Sequence, residues 1–368
     1  MTVTLTQEQE LLQGTIRDFS RDEVSGIAAK IDSESSVPAE LFQKLSGMGL
    51  YATTIPSEYG GAGADFLSFL LVVEELSKIS GSLGGRVAFH GMVCETLKAS
   101  PNEELKGSIF RNIAEGTLSA FSVDPKSTIT YQKKERSELT LDGSSEYILN
   151  ADTAGVFHLQ ARARSGKTIF VCFSKDQAAE RLDIGPPHKL MGLRGSGTCQ
   201  ITIRDLELES SSVAFDETSA PEALEKLHIS GRLGVAAQAL GIGQASLDEE
   251  VRYANERTQF NTKIGRFYAV QDFIAQDEVS LDTARILTRE VASQLQPDDS
   301  TSRRSCVAKV GASNAAVQAA RHSIRVHGGY GFVRDYPVER YLRDARATQL
   351  YLEPNEVLKA KIAEALLR

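Results

Sequence analysis

The segment HGGYGFVRDYPVERYLRDARATQLYLEPNEV, His327–Val357, decides more about this chain than any other stretch. It opens with three glycines in four positions, Gly328, Gly329 and Gly331, set into a region whose apolar spacing is otherwise helical. Such a cluster marks a turn or a close approach of backbone to a ligand, and unobstructed backbone N–H groups suit phosphate oxygens. Read alone it is a weak signal. It gains weight from P-V-E-R and L-R-D-A, which follow at fixed distances before the segment closes on Tyr351-Leu352-Glu353-Pro354-Asn355-Glu356-Val357.

Outward from this segment, the chain from about Ala220 is long and helical, as in SGRLGVAAQALGIGQASLDEEVRYANERTQF and FIAQDEVSLDTARILTREVASQLQ. Gly234, Ala236, Ala237, Ala239, Gly241, Gly243 and Ala245 make the first of these rich in small residues, which predicts close helix packing. Between about Leu118 and Ala214 the period changes to short β-rich runs such as SELTLDG, TIFVCF and TCQITIRDLEL. From Leu5 to about Arg111 the pattern is helical again, broken by glycine-rich loops such as TIPSEYGGAG. The expected organisation is an all-α domain over residues 1–112, a β domain over 113–215 and a helical domain over 216–368.

Bulk properties narrow the function classes. At 368 residues, with 41% hydrophobic and 24% charged residues, the chain has the makeup of a soluble globular protein. No apolar run reaches the roughly 18–20 residues that span a bilayer. The N-terminus shows no basic-then-apolar leader, so a cytoplasmic location is expected. A net charge of −8 argues against a phosphate-neutralising nucleic-acid surface. Cys94, Cys172, Cys199 and Cys306 are widely spaced with no metal-ligand pattern, so reduced thiols and no metal site are expected.

Taken in order, IPSEYGGAG, MGLRGSGTCQITIRDLEL, ERTQFNTKIG followed by Gln271, and the His327–Val357 segment resemble the acyl-CoA dehydrogenase family over essentially the whole chain. The resemblance implies an α+β multi-domain fold: an N-terminal α-helical domain, a middle β-barrel or sandwich domain and a C-terminal four-helix bundle. It also implies FAD bound between subunits of a homodimer or homotetramer. Arg257, Gln259 and Phe260 would reach a neighbour's FAD, and Gly328, Gly329 and Gly331 would lie along its pyrophosphate or adenosine part. A guanidinium is suited to that contact because its planar donors are always charged. Gln271 and Arg325 are further cofactor candidates, Arg325 standing where relatives often have glutamine. Arg232 matches an arginine near the family's active site, with a structural salt bridge as the alternative.

The same resemblance exposes departures. Relatives remove the substrate α-proton with a glutamate in a Y-E-G-T segment, because that proton must be taken by a positioned group. The matching position here is Leu352, and Glu353 falls one residue late. Adjacent side chains on a helix point about 100° apart. Glu353 is therefore either a displaced base, brought round by Pro354, or a structural carboxylate. The alternative base position of some branches, just before Arg232, is Gly231. In the run Phe121–Pro125, Val123 stands where relatives carry a hydroxyl near the flavin, leaving Ser122 as the hydroxyl candidate. In Tyr147-Ile148-Leu149-Asn150, Tyr147 retains an aromatic cover for a ring, whereas Leu149 replaces a hydrogen-bonding threonine.

Three readings follow. The chain is a flavin-dependent dehydrogenase of acyl-CoA or acyl-carrier-protein thioesters with a displaced or changed base. Or it oxidises a hydroxyacyl or aldehyde group on an acyl carrier protein, as in polyketide extender-unit assembly. Or it is a base-lacking subunit of a heteromeric acyl-CoA dehydrogenase, paired with a paralogue. The sequence names no electron acceptor.

Overall fold

The protein is described by a computed structural model covering residues 4–122, 126–134, 138–295 and 298–367. Its helical N-terminal part comprises α1 (Gln7–Phe19), α2 (Ala28–Glu34), α3 (Ala39–Gly47), α4 (Phe66–Ile79), α5 (Gly81–Leu97) and α6 (Glu103–Ala114). Local chemistry sets these helix starts. Thr6 and Gln9 form a reciprocal capping box on α1, and Asp65, Ser80 and Asn102 cap α4, α5 and α6. Helices α4 and α5 are buried almost all round, as expected for elements enclosed by others.

The middle part is β1 (Ser119–Ser122), β2 (Thr130–Lys133), β3 (Glu138–Ile148), β4 (Val156–Arg162), β5 (Thr168–Ser174), β6 (Leu182–Pro187), β7 (Cys199–Glu209) and β8 (Val213–Phe215), with a short α7 (Lys175–Ala178) after β5. The strands run as one eight-stranded mixed sheet in the order β6-β7-β3-β2-β4-β5-β8, and β1 pairs in parallel with β4. This sheet has its own apolar core, built around Leu141, Phe157, Leu159, Val171 and Ile201.

The C-terminal part contains α8 (Ala220–Glu256), the hairpin β9 (Thr258–Gln259) and β10 (Thr262–Lys263), α9 (Tyr268–Ser293), α10 (Asp299–His327), α11 (Val338–Thr348) and α12 (Asn355–Leu367). Helix α8 is its axis. A Cβ added at Gly241 would lie 2.6 Å from Ser77 Cβ on α4, and one at Gly243 would lie 3.0 Å from Ala316 Cα on α10. The small-residue stripe therefore serves close helix packing on two sides.

The L-R-D-A signature fastens these parts together. Arg343 donates to both oxygens of Asp32, at 2.8 and 2.7 Å, and to the Met191 carbonyl. Asp344 accepts from the Leu193 N–H at 2.6 Å. Arg86, fully buried on α5, ties the same loop to the sheet through Gly195 O and Asp152. All four cysteines are free and buried. Among the described residues no helix is long and apolar enough to cross a membrane.

Candidate active site

Two groups of candidate residues form along α8, one at its C-terminal end and one toward its N-terminal end. At its C-terminal end the helix stops at Arg257, and the hairpin beyond turns on Phe260 and Asn261, whose φ values of 52° and 60° are the left-handed pair of a type I′ turn. The turn throws Phe260 outward, 89% exposed. Across from it α10 ends at Gly328, with φ 58° and ψ −130°, a region open essentially to glycine alone. Between them lies a cleft of about 530 Å³, lined by Arg257, Gln259, Gly328, Gly329, Tyr330 and Tyr253 among others. A Cβ at Gly328 or Gly329 would meet nothing, so their backbone is bare toward a ligand. Gly331 has a different role, since a Cβ there would sit 2.5 Å from Ile324 O. The Arg257 guanidinium lies 5.7 Å over the Tyr330 ring and has no carboxylate partner among the described residues.

Three other cofactor candidates do not line this cleft. Phe260 points into solvent, Gln271 donates to Gly265 O at 3.0 Å, and Arg325 lies 4.5 Å over the Phe273 ring. In the sheet, Tyr147 is 56% exposed against His188, and Ser122 is buried with its Oγ 3.0 Å from Ser145 Oγ. Leu149 bridges to Phe121 and packs against the main core. Val123 lies outside the described residues.

Toward the N-terminal end of α8 the chemistry is closed. Arg232, with no exposed surface, donates from Nε to Glu353 Oε2 at 2.6 Å and reaches Ser302, Ser305 and Glu225 through Nη1. Lys361 of α12 donates to Glu353 Oε1 at 2.5 Å, and Lys309 of α10 donates to the Glu353 carbonyl. Burial works against the charge on Glu353, but the bond from Arg232 and the cations around it prevail and hold its carboxyl at about 2. Burial also pushes the Lys309 ammonium down to about 8.

Leu352 precedes this clasp with φ 61°, and the Glu353 N–H returns to Tyr351 O at 2.9 Å. The turn delivers the Leu352 side chain to α8: a Cβ at Gly231 would lie 2.6 Å from Leu352 Cδ2 and against Met92 Sδ. Positions 352 and 231, far apart in sequence, thus face one another across an apolar contact.

Lys309, Lys361, Ser302 and Ser305 escaped the sequence reading. The polar stripe Ser305, Lys309, Ser313 along an alanine-rich face of α10 was visible, but its partner, the carbonyl of residue 353, is set only by the tertiary fold. A second buried cluster also went unread. Glu250 of α8 and Asp277 of α9 are both fully buried, and Asp277 Oδ1 accepts from Gln318 Nε2 at 3.0 Å and contacts His322 Nδ1 at 2.9 Å.

Comparison with known proteins places the whole chain beside one family. Residues 6–117 match the N-terminal domain model of acyl-CoA dehydrogenases, and residues 223–367 match the C-terminal domain model. The short-chain specific acyl-CoA dehydrogenase of Clostridium acetobutylicum is 32% identical with 100% of both chains covered, and the 3-(aryl)acrylate reductase of Clostridium sporogenes is 31% identical with 99% of both covered. The butyryl-CoA dehydrogenase structure from Megasphaera elsdenii superposes with a TM-score of 0.95 at 26% identity, covering 100% of each chain.

Proposed function

The chain belongs to the acyl-CoA dehydrogenase family, flavin-dependent oxidoreductases that use FAD and act on acyl thioesters, and from that premise we propose an oxidation in which no carboxylate of this chain takes the α-proton. The residues fit the cofactor. Arg257 has no carboxylate of its own among the described residues, the backbone at Gly328 and Gly329 is bare, and Tyr330 offers an aromatic floor to the same cleft. An unpaired guanidinium beside bare backbone is the donor set a pyrophosphate requires. When bound, FAD supplies the hydride acceptor.

One observation carries the rest: Leu352 lies against Gly231, so the two positions that the resemblance matches to the family's base meet in a contact that holds no acid. Glu353, the carboxylate next in sequence, is ionised but committed to Arg232 and Lys361. A general base works best with a pKa near the operating pH, and a group held at about 2 is far too weakly basic. A substrate whose oxidised carbon carries oxygen avoids the need. In a hydroxyacyl group, or in an aldehyde hydrated by water, the C–H leaves as hydride and the O–H proton passes to solvent water with none taken from Cα, which favours a hydroxyacyl or aldehyde group carried as a thioester. The base-lacking subunit of a heteromer is the second reading. It is favoured by a contrast in this chain, where the cleft keeps Arg257 beside bare glycine backbone and the wall around Leu352 has no base.

The test is anaerobic bleaching of the yellow protein with saturated acyl-CoA, hydroxyacyl-CoA and the matching carrier-protein thioesters. Bleaching by the oxygenated substrates alone supports the first reading. Protein that turns yellow only when co-expressed with a paralogue supports the second. Rapid bleaching by saturated acyl-CoA that is lost in Glu353→Gln would return the α-proton to Glu353 and refute both.

A further inference from the structure

We propose that Lys309 is a positioning residue, holding the strained Tyr351–Glu353 turn so that the side chain at 352 closes the wall formed with Gly231 and Met92. The inference rests on the reading that this wall borders the reacting acyl group. Its structural basis is the convergence of three helices on one residue. Arg232 comes from α8, Lys309 from α10 and Lys361 from α12, and the first and third take the Glu353 carboxylate while the second takes its backbone carbonyl.

The turn needs such restraint. A bond from Glu353 N–H to Tyr351 O around a central residue of positive φ is the rare, strained form of γ-turn. A branched residue in that region persists only when its surroundings over-determine it. Pro354 supplies no N–H of its own, so beyond the Asn355 N–H to Gln349 O bond at 2.9 Å that closes the loop, Glu353 is held by its carbonyl and carboxylate. Lys309 has no exposed surface and lies between the buried Ser305 and Ser313, with Ala308, Ala312 and Ala316 beside this stripe. For core stability alone, an apolar residue of similar volume would serve as well or better, because burying an ammonium is costly.

The titratable groups that act on Lys309 are Glu353 of the turn, Arg232 of α8, Glu356 of α12 and the thiol of Cys306 on its own helix, with His228, Glu225 and Lys361 beside Glu353 and Arg232. Neutralising Lys309 above pH about 8 removes the charge from its bond to the carbonyl. Opening of the turn alone leaves Lys309 buried without its carbonyl acceptor, so there the charged form favours the closed turn, whereas global unfolding exposes the ammonium to water and carries the opposite sign. Against global unfolding the folded-state pKa of Lys309 is depressed, so losing the proton relieves the desolvation cost and favours the fold as pH rises from about 8 toward its unfolded value.

The experiment uses holoenzyme carrying Lys309→Met or Lys309→Arg. It reads FAD content, amide-exchange protection of residues 349–357, and the KM and limiting rate of flavin reduction from pH 6 to 10. In the wild type, KM should rise about tenfold across pH 8 at constant limiting rate, and exchange protection of the turn, corrected for intrinsic exchange, should fall about tenfold. Lys309→Met should show the high KM and low protection at every pH with full FAD content, and Lys309→Arg should keep the low KM throughout. A methionine variant matching the wild type in KM, pH profile and protection overturns the proposal. If the methionine variant fails to fold, flat wild-type protection across pH 8 overturns it instead. If no thioester reduces the wild-type flavin, the reaction reading fails while the exchange arm still judges Lys309.

Discussion

Arg232 and Arg257 sit on one continuous helix and its cap, and they meet opposite fates. Arg232 is wholly buried and has its counter-charge within the chain, with Glu353 Oε2 2.6 Å away. Arg257 faces a cleft with an aromatic ring beneath it and no carboxylate partner among the described residues. A cation whose charge is met internally organises the fold around it, and one left unmet is available to an anion from outside. The comparison separates two signatures that the sequence presents alike. One arginine is met within the fold, and the other is left to the anion that the proposed function assigns to its cleft.

The sharpest way to break this comparison is to exchange the losses. Arg232→Met should cost about 3 kcal/mol of stability, the low end for a broken buried pair because Lys361 remains on the carboxylate, and calorimetry should show it as a lowered Tm with FAD content intact. Arg257→Ala should do the reverse. Loss of a charge-assisted contact predicts FAD affinity weaker by about 10–100-fold, read by flavin release on dilution, with apoprotein stability changed by less than about 0.5 kcal/mol. If the first variant lost flavin and the second lost stability, the division between the two ends would be wrong.

A gain-of-function change probes the wall itself. Leu352→Glu sets a carboxylate in the contact with Gly231 and should raise flavin reduction by saturated acyl-CoA at least about tenfold above wild type, since positioned bases contribute 10²–10⁴-fold. No gain would mean that the turn does not present residue 352 to the substrate.

The smallest effect tests the other buried polar cluster. Burial, with Asp277 beside it, raises the Glu250 carboxyl to about 8. An acid with a raised folded-state pKa favours the fold below its unfolded value of about 4.5, and that advantage is lost as pH climbs through about 8. Wild-type Tm should therefore decline over this window, and Glu250→Gln should flatten the decline by roughly a few degrees. An unchanged slope would assign the pH dependence elsewhere.

Much of the fold was legible because its signals are local. Period changes marked the helical and β regions, and the small residues from Gly234 to Ala245 announced the close packing seen at Gly241 and Gly243. Arg257, Gln259, Gly328 and Gly329, far apart in sequence but singled out by their motifs, line one cleft. Gly331 was grouped with the cleft glycines because sequence spacing cannot distinguish bare backbone facing a ligand from backbone packed on Ile324. The closed wall was the least readable. Nothing in spacing could reveal that Leu352 touches Gly231, or that Lys309 reaches the carbonyl of Glu353, because each contact joins segments more than 40 residues apart.

The central claim is that no carboxylate of this chain removes the α-proton. Its most direct test is the limiting rate of anaerobic flavin reduction at saturating thioester, compared between wild type and Glu353→Gln. The account predicts limiting rates equal within about threefold, with any loss confined to KM. A fall of 10²–10⁴-fold in the limiting rate, the usual contribution of a general base, would contradict it and make Glu353 the base.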